Sequence, residues 1–199
     1  MNIFVIDNNP AVCARALCDL RLNKMILETA QMLCTAYRHW HDDAEAHTNI
    51  IYKVTHANHP CSVWLRKDIN NYKWMLLYFE ALHDEKLART GRAHLSYTKL
   101  SDMFYYTSPH TPMAEQYDVE FNFNCSGIYP SVNNVFNDYK LCLVNKWLQD
   151  KREPKWTYQG EPEFLNIDLK AKRLELSKLN QFEAAIIQRR TIRQHPLYV

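Results

Sequence analysis

Asp19-Leu-Arg-Leu-Asn-Lys-Met-Ile-Leu-Glu-Thr-Ala-Gln-Met-Leu-Cys-Thr-Ala-Tyr-Arg-His39 decides the fold. Leu22, Met25, Ile26, Thr29, Met32, Leu33 and Ala36 recur at steps of three and four, which predicts one long amphipathic helix with a continuous apolar face. The other stripe carries Arg21, Lys24, Glu28, Gln31 and Thr35. On the N-terminal side, Asn9-Pro10 predicts a helix start, with a capping side chain followed by proline at the first helical position. That helix is expected to run to about Leu17. Before it, Asn2-Ile-Phe-Val-Ile-Asp7 is apolar and β-branched, and predicts one short buried strand. Ile50 to Thr55 reads as a short strand or an extended approach.

On the C-terminal side, His59-Pro60 predicts a short helix to about Arg66. Asp68 caps a long one to about Thr90, closed by Gly91. Further helices are expected over about 94–106, 131–150 and 169–193. Residues 41–49 read as a loop, 108–130 as irregular and 151–160 as a linker. The expected architecture is mainly α: a single helical domain over 1–160 with one short N-terminal strand, followed by a basic amphipathic helical extension over 161–199.

Composition narrows the chemistry. With only 3 glycines in 199 residues, all far apart, no glycine-rich phosphate loop can form. The 6 cysteines contain no CxxC pair and predict reduced, mostly buried thiols in a cytoplasmic protein. No apolar run reaches the ~20 residues of a membrane span. The net charge of +2 is unevenly spread: 1–150 carry 14 Lys/Arg against 16 Asp/Glu, and 151–199 carry 10 against 6. A basic tail permits nucleic-acid contact without requiring it.

Four constellations could carry function. Arg21, Lys24 and Glu28 share a helix face, where a carboxylate between cations can stabilise a developing positive charge or direct a water, and a lysine can act as nucleophile. The same spacing also describes a solvated face with a Lys24–Glu28 ion pair. His56-x-x-His59-Pro60 offers two imidazoles that could ligate a metal with Cys61 or Asp19, act as acid and base, or contact phosphate. Without a complete ligand set no metal or other cofactor is expected, and a helix cap by His59 or Asn58 is the plain alternative. Trp64 and Trp74 stand among Arg66, Lys67 and Lys73, an interleaving suited to base stacking and backbone contact, although aromatics at helical spacing more often form core. Trp74 falls on a different face from Tyr72 and Phe79. The last constellation is the basic helix with Lys170, Lys172, Arg173, Lys178, Arg189, Arg190 and Arg193, which could follow a phosphate backbone or be an ordinary solvated face.

Asn2-Ile-Phe-Val-Ile-Asp7, Cys18-Asp19 with Asn23-Lys-Met-Ile-Leu-Glu28, His56-x-Asn58-His59-Pro60-x-x-x-Trp64, Asn71-Tyr72-x-Trp74, Thr111-Pro-Met-Ala-Glu-Gln-Tyr117 and Val135-Phe-x-x-Tyr139 with Lys146-Trp147 together resemble a family of small, largely uncharacterised proteins of tailed bacteriophages and large DNA viruses. A histidine before the Cys-Asp pair and a Lys-His pair after it, frequent in that family, are replaced here by Leu17 and Leu20-Arg21. The layout is also remotely similar to the pyrimidine-dimer DNA glycosylase/AP lyase family. That resemblance implies metal-free excision of damaged or modified pyrimidines, using the amine of a small residue exposed after removal of the initiator methionine. Here the second residue is Asn2, whose bulk disfavours removal, so the amine would come from Met1 or Lys24, or the lyase step would be absent.

The leading expectation is a viral enzyme acting on a base or its glycosidic bond in DNA, or on a nucleotide. Glu28, Lys24, His59 and His56 would be catalytic, and Arg21, Asn58, Trp64, Trp74, Lys67 and Lys73 would bind nucleic acid. A non-enzymatic nucleotide- or host-protein-binding module, with a pocket of His59, Trp64 and Lys24, is the second reading. A metal-dependent hydrolase using His56 and His59 is the third.

Overall fold

The computed structural model describes residues 2–41, 49–107, 119–121, 123, 125–128, 131–132 and 134–198, with the backbone alone for 105–107. Eight α-helices follow in order: α1 Pro10–Ala16, α2 Asp19–Trp40, α3 Pro60–Lys67, α4 Ile69–Thr90, α5 Leu95–Thr107, α6 Val135–Gln149, α7 Leu169–Ser177 and α8 Gln181–Arg193. Most of the loop expected at 41–49 and of the irregular stretch at 108–130, including the 111–117 motif, lies outside the described residues. None of these helices is long and apolar enough to cross a membrane.

The start signals work as side-chain caps. Asn9 accepts from the Ala11 amide at 2.9 Å, with Pro10 at the first helical position, and Asp68 accepts from the Asn70 amide at 2.7 Å. Gly91 ends α4 at φ +65°, a left-handed conformation that glycine adopts without a Cβ penalty. All seven apolar positions read on α2 are buried. That face packs on α4, with α1 and α3 against α4 and α5 against both long helices.

No strand forms among the described residues, which corrects the reading of 2–7. Ile3, Phe4, Val5 and Ile6 are all buried, consecutively and not alternately, and Phe4 takes φ +53°, which breaks an extended run. A strand needs a neighbour to satisfy its backbone. This segment is instead threaded between helices, fixed where Asn2 Nδ2 donates to the Cys125 carbonyl at 3.1 Å and the Trp74 indole donates to the Asn8 carbonyl at 2.7 Å. Residues 50–55 likewise run beside α2 without a strand. Arg38 donates to the Tyr52 carbonyl at 2.9 Å, and the Thr55 amide donates to Thr35 Oγ1 at 3.2 Å.

The expected single helix over 169–193 is two. Asn180 accepts from the Phe182 and Glu183 amides while Glu183 reaches back to the Asn180 amide. This reciprocal cap starts a new helix where a continuous one would have passed through. Both helices pack on α6, and Arg173 is committed to the Trp147 and Asp150 carbonyls.

Arg89 joins the start of α2 to α4. Its side chain is 1% exposed and donates to Glu85 at 2.7 Å, Asp19 at 2.9 Å, and the Leu17 and Arg15 carbonyls at 2.8 and 3.0 Å. Gln159 adds two donations to Glu85 at 2.8 and 2.7 Å. Arg89→Ala would leave the Glu85 carboxylate, 10% exposed, to Gln159 alone. Breaking a buried pair this way costs about 3–5 kcal/mol, so urea denaturation is expected to show a loss in that range, and a loss below about 1 kcal/mol would contradict the assignment.

Partial burial lowers the pKa of His83, which stacks on Tyr97 at 3.6 Å, and of His94, which caps α5. As pH falls through the ordinary histidine value of about 6.5, the unfolded chain takes up these protons before the folded one does. Their contribution to stability is therefore present above that value and lost below it. Denaturant midpoints are expected to fall between pH 7.5 and 5.5, with a shallower slope in His83→Gln. An unchanged slope in that variant would refute the role given to His83.

Candidate functional site

Arg21, Lys24, Met25 and Glu28 occupy successive turns of α2 and line one side of a cavity of about 260 Å³. Asn2 and Phe4 from the N-terminal segment, His59 at the start of α3, Cys125, and Lys146 of α6 complete its wall. The volume equals that of roughly nine waters at about 30 Å³ each, room for one heterocyclic ring and little more.

Within it the Glu28 side chain is only 14% exposed, and Lys24 Nζ stands 3.4 Å from its carboxylate at the i,i+4 spacing. The pair is asymmetric: Lys24 is 66% exposed, so the carboxylate is held while the ammonium reaches into solvent. The predicted ion pair is present, and the carboxylate it contains still faces a cavity. Arg21 Nη2 donates to both carboxylate oxygens of Asp150, at 2.6 and 2.7 Å, which anchors the end of the side chain. Phe4 forms the floor. Its φ of +53° is uncommon for a bulky residue, and its ring lies 5.9 Å beneath both the Arg21 guanidinium and Lys146 Nζ. Among the described residues, Glu28 is thus the one carboxylate in a wall carrying three cations.

His59 caps α3, its Nδ1 accepting from the Cys61 amide at 3.3 Å. Burial depresses its pKa, against an opposing pull from Glu28, which leaves the ring neutral at neutral pH. Beside it lie two thiols. Cys125 is lowered to about 7, chiefly because Cys61 donates a hydrogen bond to it, with burial opposing and the Tyr139 hydroxyl assisting. Cys61 is pushed upward as that donor and by its burial. One ring nitrogen of His59 and the two sulfurs all lie within 4.8 Å of one another.

Other expected site residues are elsewhere. His56, exposed at φ +48°, and Asn58 do not line the cavity. His56 is also absent from the thiol–imidazole cluster. Lys67 and Lys73, on α3 and α4, are not part of the wall. Trp64 and Trp74 are buried at 2% and 0%, their indoles donating to the Glu120 carbonyl at 2.9 Å and the Asn8 carbonyl at 2.7 Å. They pack edge to face at 6.1 Å within an aromatic cluster that includes Phe121. Neither presents a free face for stacking, and the pocket of His59, Trp64 and Lys24 expected for a binding module lacks its indole. Asn2, Phe4, Cys125 and Lys146 escaped the sequence reading as site residues. Asn2 and Phe4, in the 2–7 stretch, and Lys146, beside Trp147, belong to the motifs of the resemblance; Cys125 carried no such signal.

A larger open depression of about 650 Å³ lies across α1 and α4, lined by Asp7, Glu80, Asp84 and Glu85 with Arg15. With Glu85 paired to Arg89, three carboxylates still stand against Arg15 there and repel phosphate, so the smaller cavity is the better candidate for a nucleic-acid substrate.

Residues 1–99 match the family model for pyrimidine dimer DNA glycosylase, and the chain is similar to that family over this stretch. Arg21, Lys24, Glu28 and His59 lie inside the match, and Cys125 and Lys146 lie beyond it. No curated protein and no solved structure matches the chain.

The burial of Trp74 has a direct consequence. Trp74→Ala is expected to cost about 3–5 kcal/mol, as for other large aromatic deletions from a core, read by chemical denaturation. A variant of unchanged stability would contradict the placement.

Proposed function

We propose, starting from the similarity of residues 1–99 to pyrimidine dimer DNA glycosylase, that this chain cleaves the glycosidic bond of a damaged pyrimidine nucleotide in DNA. The observation that carries the reading is the position of Glu28: a carboxylate 14% exposed, facing a ring-sized cavity whose other charged groups, among the described residues, are cations.

The chemistry follows from what develops on the sugar. As the bond from C1′ to the base breaks, its electron pair leaves with the base and positive charge grows on C1′ and the ring oxygen. A fixed carboxylate there is stabilising, as in glycoside cleavage generally. Partial exclusion of water strengthens that attraction. Lys24 and Lys146 supply positive charge for the flanking phosphates, whereas Arg21, clamped by Asp150, positions more than it binds. His59, in the same wall with Nδ1 accepting from the Cys61 amide, has Nε2–H as a donor for a flanking phosphate.

A lyase step additionally requires an amine. Its lone pair bonds to C1′ as the C1′–base bond breaks and the base leaves with the electron pair and takes up a proton. The amine nitrogen then loses a proton, the C1′–O4′ bond breaks with O4′ protonated, and the resulting iminium is what borohydride reduces to a stable amine. Unreduced, the iminium acidifies C2′–H, whose loss expels the 3′-phosphate and cuts the strand. Lys24 Nζ, 3.4 Å from Glu28, is one source. Where residue 1 starts the mature chain, its α-amine, one peptide unit from cavity-lining Asn2, is the other. Ordinary α-amines titrate near 8 against about 10.4 for lysine, which favours the α-amine as a nucleophile at neutral pH.

The test is incubation with duplexes carrying a cyclobutane thymine dimer or an abasic site, with and without borohydride. Strand cleavage and a trapped adduct are expected, with Glu28→Gln slowing cleavage by about 10²–10⁴-fold while leaving the fold intact. Peptide mapping of the adduct separates Lys24 from the α-amine. Neither cleavage nor adduct on either duplex would refute the proposal.

A further inference from the structure

His59, Cys61 and Cys125 come from two parts of the chain that share no motif, yet present one nitrogen and two sulfurs within 4.8 Å of one another. A tetrahedral zinc ion, with bonds of about 2.3 Å to sulfur and 2.0–2.1 Å to nitrogen, holds its ligand atoms roughly 3.4–3.8 Å apart. The cluster is therefore already close to the span such an ion requires. His59 and Cys125 line the Glu28 cavity, and Cys61 is fully buried behind them. Three ligands would be protein atoms and the fourth position would open towards the cavity.

We propose that His59, Cys61 and Cys125 form a binding site for a thiophilic divalent cation, with zinc the best fit, set into the wall of the Glu28 cavity. Thiolate and imidazole donors in tetrahedral array select this class of ion over hard cations such as magnesium or calcium.

The surroundings are arranged as an outer shell would be. The Ile3 amide hydrogen-bonds Cys61 sulfur, and the Tyr139 hydroxyl both accepts from the Cys125 amide at 3.0 Å and hydrogen-bonds the Cys125 sulfur. Such contacts orient the sulfur lone pairs. Charge balance also fits. Arg21, Lys24 and Lys146 share this wall and would repel a bare dication. Two thiolates and a neutral imidazole cancel the charge of the ion. Binding would take both sulfurs as thiolates, and any thiol protons they still carry would go to solvent. His59 would direct at the metal either the Nδ1 lone pair now in the long 3.3 Å cap bond, or Nε2 after the ring proton moves. The ion would join the first turn of α3 to the segment around Cys125, and so fix two sides of the cavity together.

This inference is independent of the glycosylase reading, because its test reads the metal and not DNA chemistry. The full-length chain, reduced and kept anaerobic, is titrated with Co²⁺ and then with Zn²⁺. One equivalent of cobalt with a thiolate-to-metal charge-transfer band, displaced by zinc, is expected. Cys125→Ser, a small change at a half-buried position, is expected to weaken zinc binding by more than about 100-fold, beyond the 10–100-fold cost of losing an outer-shell partner. Circular dichroism checks its fold, and His59→Ala serves as the second variant. Absence of the band overturns the proposal, as does affinity unchanged in both variants. So does a pair that only forms a disulfide in air and binds no metal when reduced.

Discussion

The first turn of α2 has no side-chain cap. Cys18 makes no cap hydrogen bond, and the turn is anchored from outside. The Asp19 amide donates to the Lys155 carbonyl at 2.8 Å, the Asp19 carboxylate takes Arg89, and two residues on Arg21 is clamped by Asp150. These partners come from α4 and from the stretch that follows α6. Because a helix is rigid, fixing its first turn also fixes the azimuth of every residue above it. The apolar stripe then meets α4, and Lys24 and Glu28 meet the N-terminal segment. A free carboxylate on a helix surface is ordinary. This one is enclosed because α2 cannot roll.

The enclosure is polar but not closed. Phe4, in its left-handed conformation, offers the cavity an aromatic floor under two cations, and Asn2 ties the segment to Cys125. Uncommon backbone conformations persist where the surroundings over-determine them, and they concentrate at functional sites. Here the same segment is core on one side, through Ile3 and Val5, and cavity wall on the other. Stability and site therefore draw on the same residues.

Much of this was legible in the sequence for physical reasons. Asn9-Pro10, His59-Pro60, Asp68 and Gly91 act locally, through amides two residues away or through their own φ, so the helices they bound could be read directly. The Arg21–Lys24–Glu28 face was equally legible, because helical period alone sets it. What covers that face was not, since Asn2 and Cys125 are far apart in sequence and meet only in the fold. A run such as Ile3–Ile6 fits a buried strand and a threaded coil equally well by composition. The tryptophans misled for a related reason. Trp74 lies off the main apolar stripe of α4, but the N-terminal segment and Phe121 cover that side too. The second start signal inside 169–193, Asn180 with Glu183, was present and was overridden by the apolar periodicity on either side of it.

The central claim is that Glu28 faces the reacting sugar carbon. A crystal structure of the chain reduced by borohydride onto a duplex with a single abasic site tests it most directly. The account predicts the trapped C1′ inside the cavity between α2 and the N-terminal segment, within about 3–4 Å of the Glu28 carboxylate, the range of a near-attack contact. A trapped sugar bound elsewhere on the surface, with Glu28 still paired to Lys24 and its cavity empty of DNA, would contradict it.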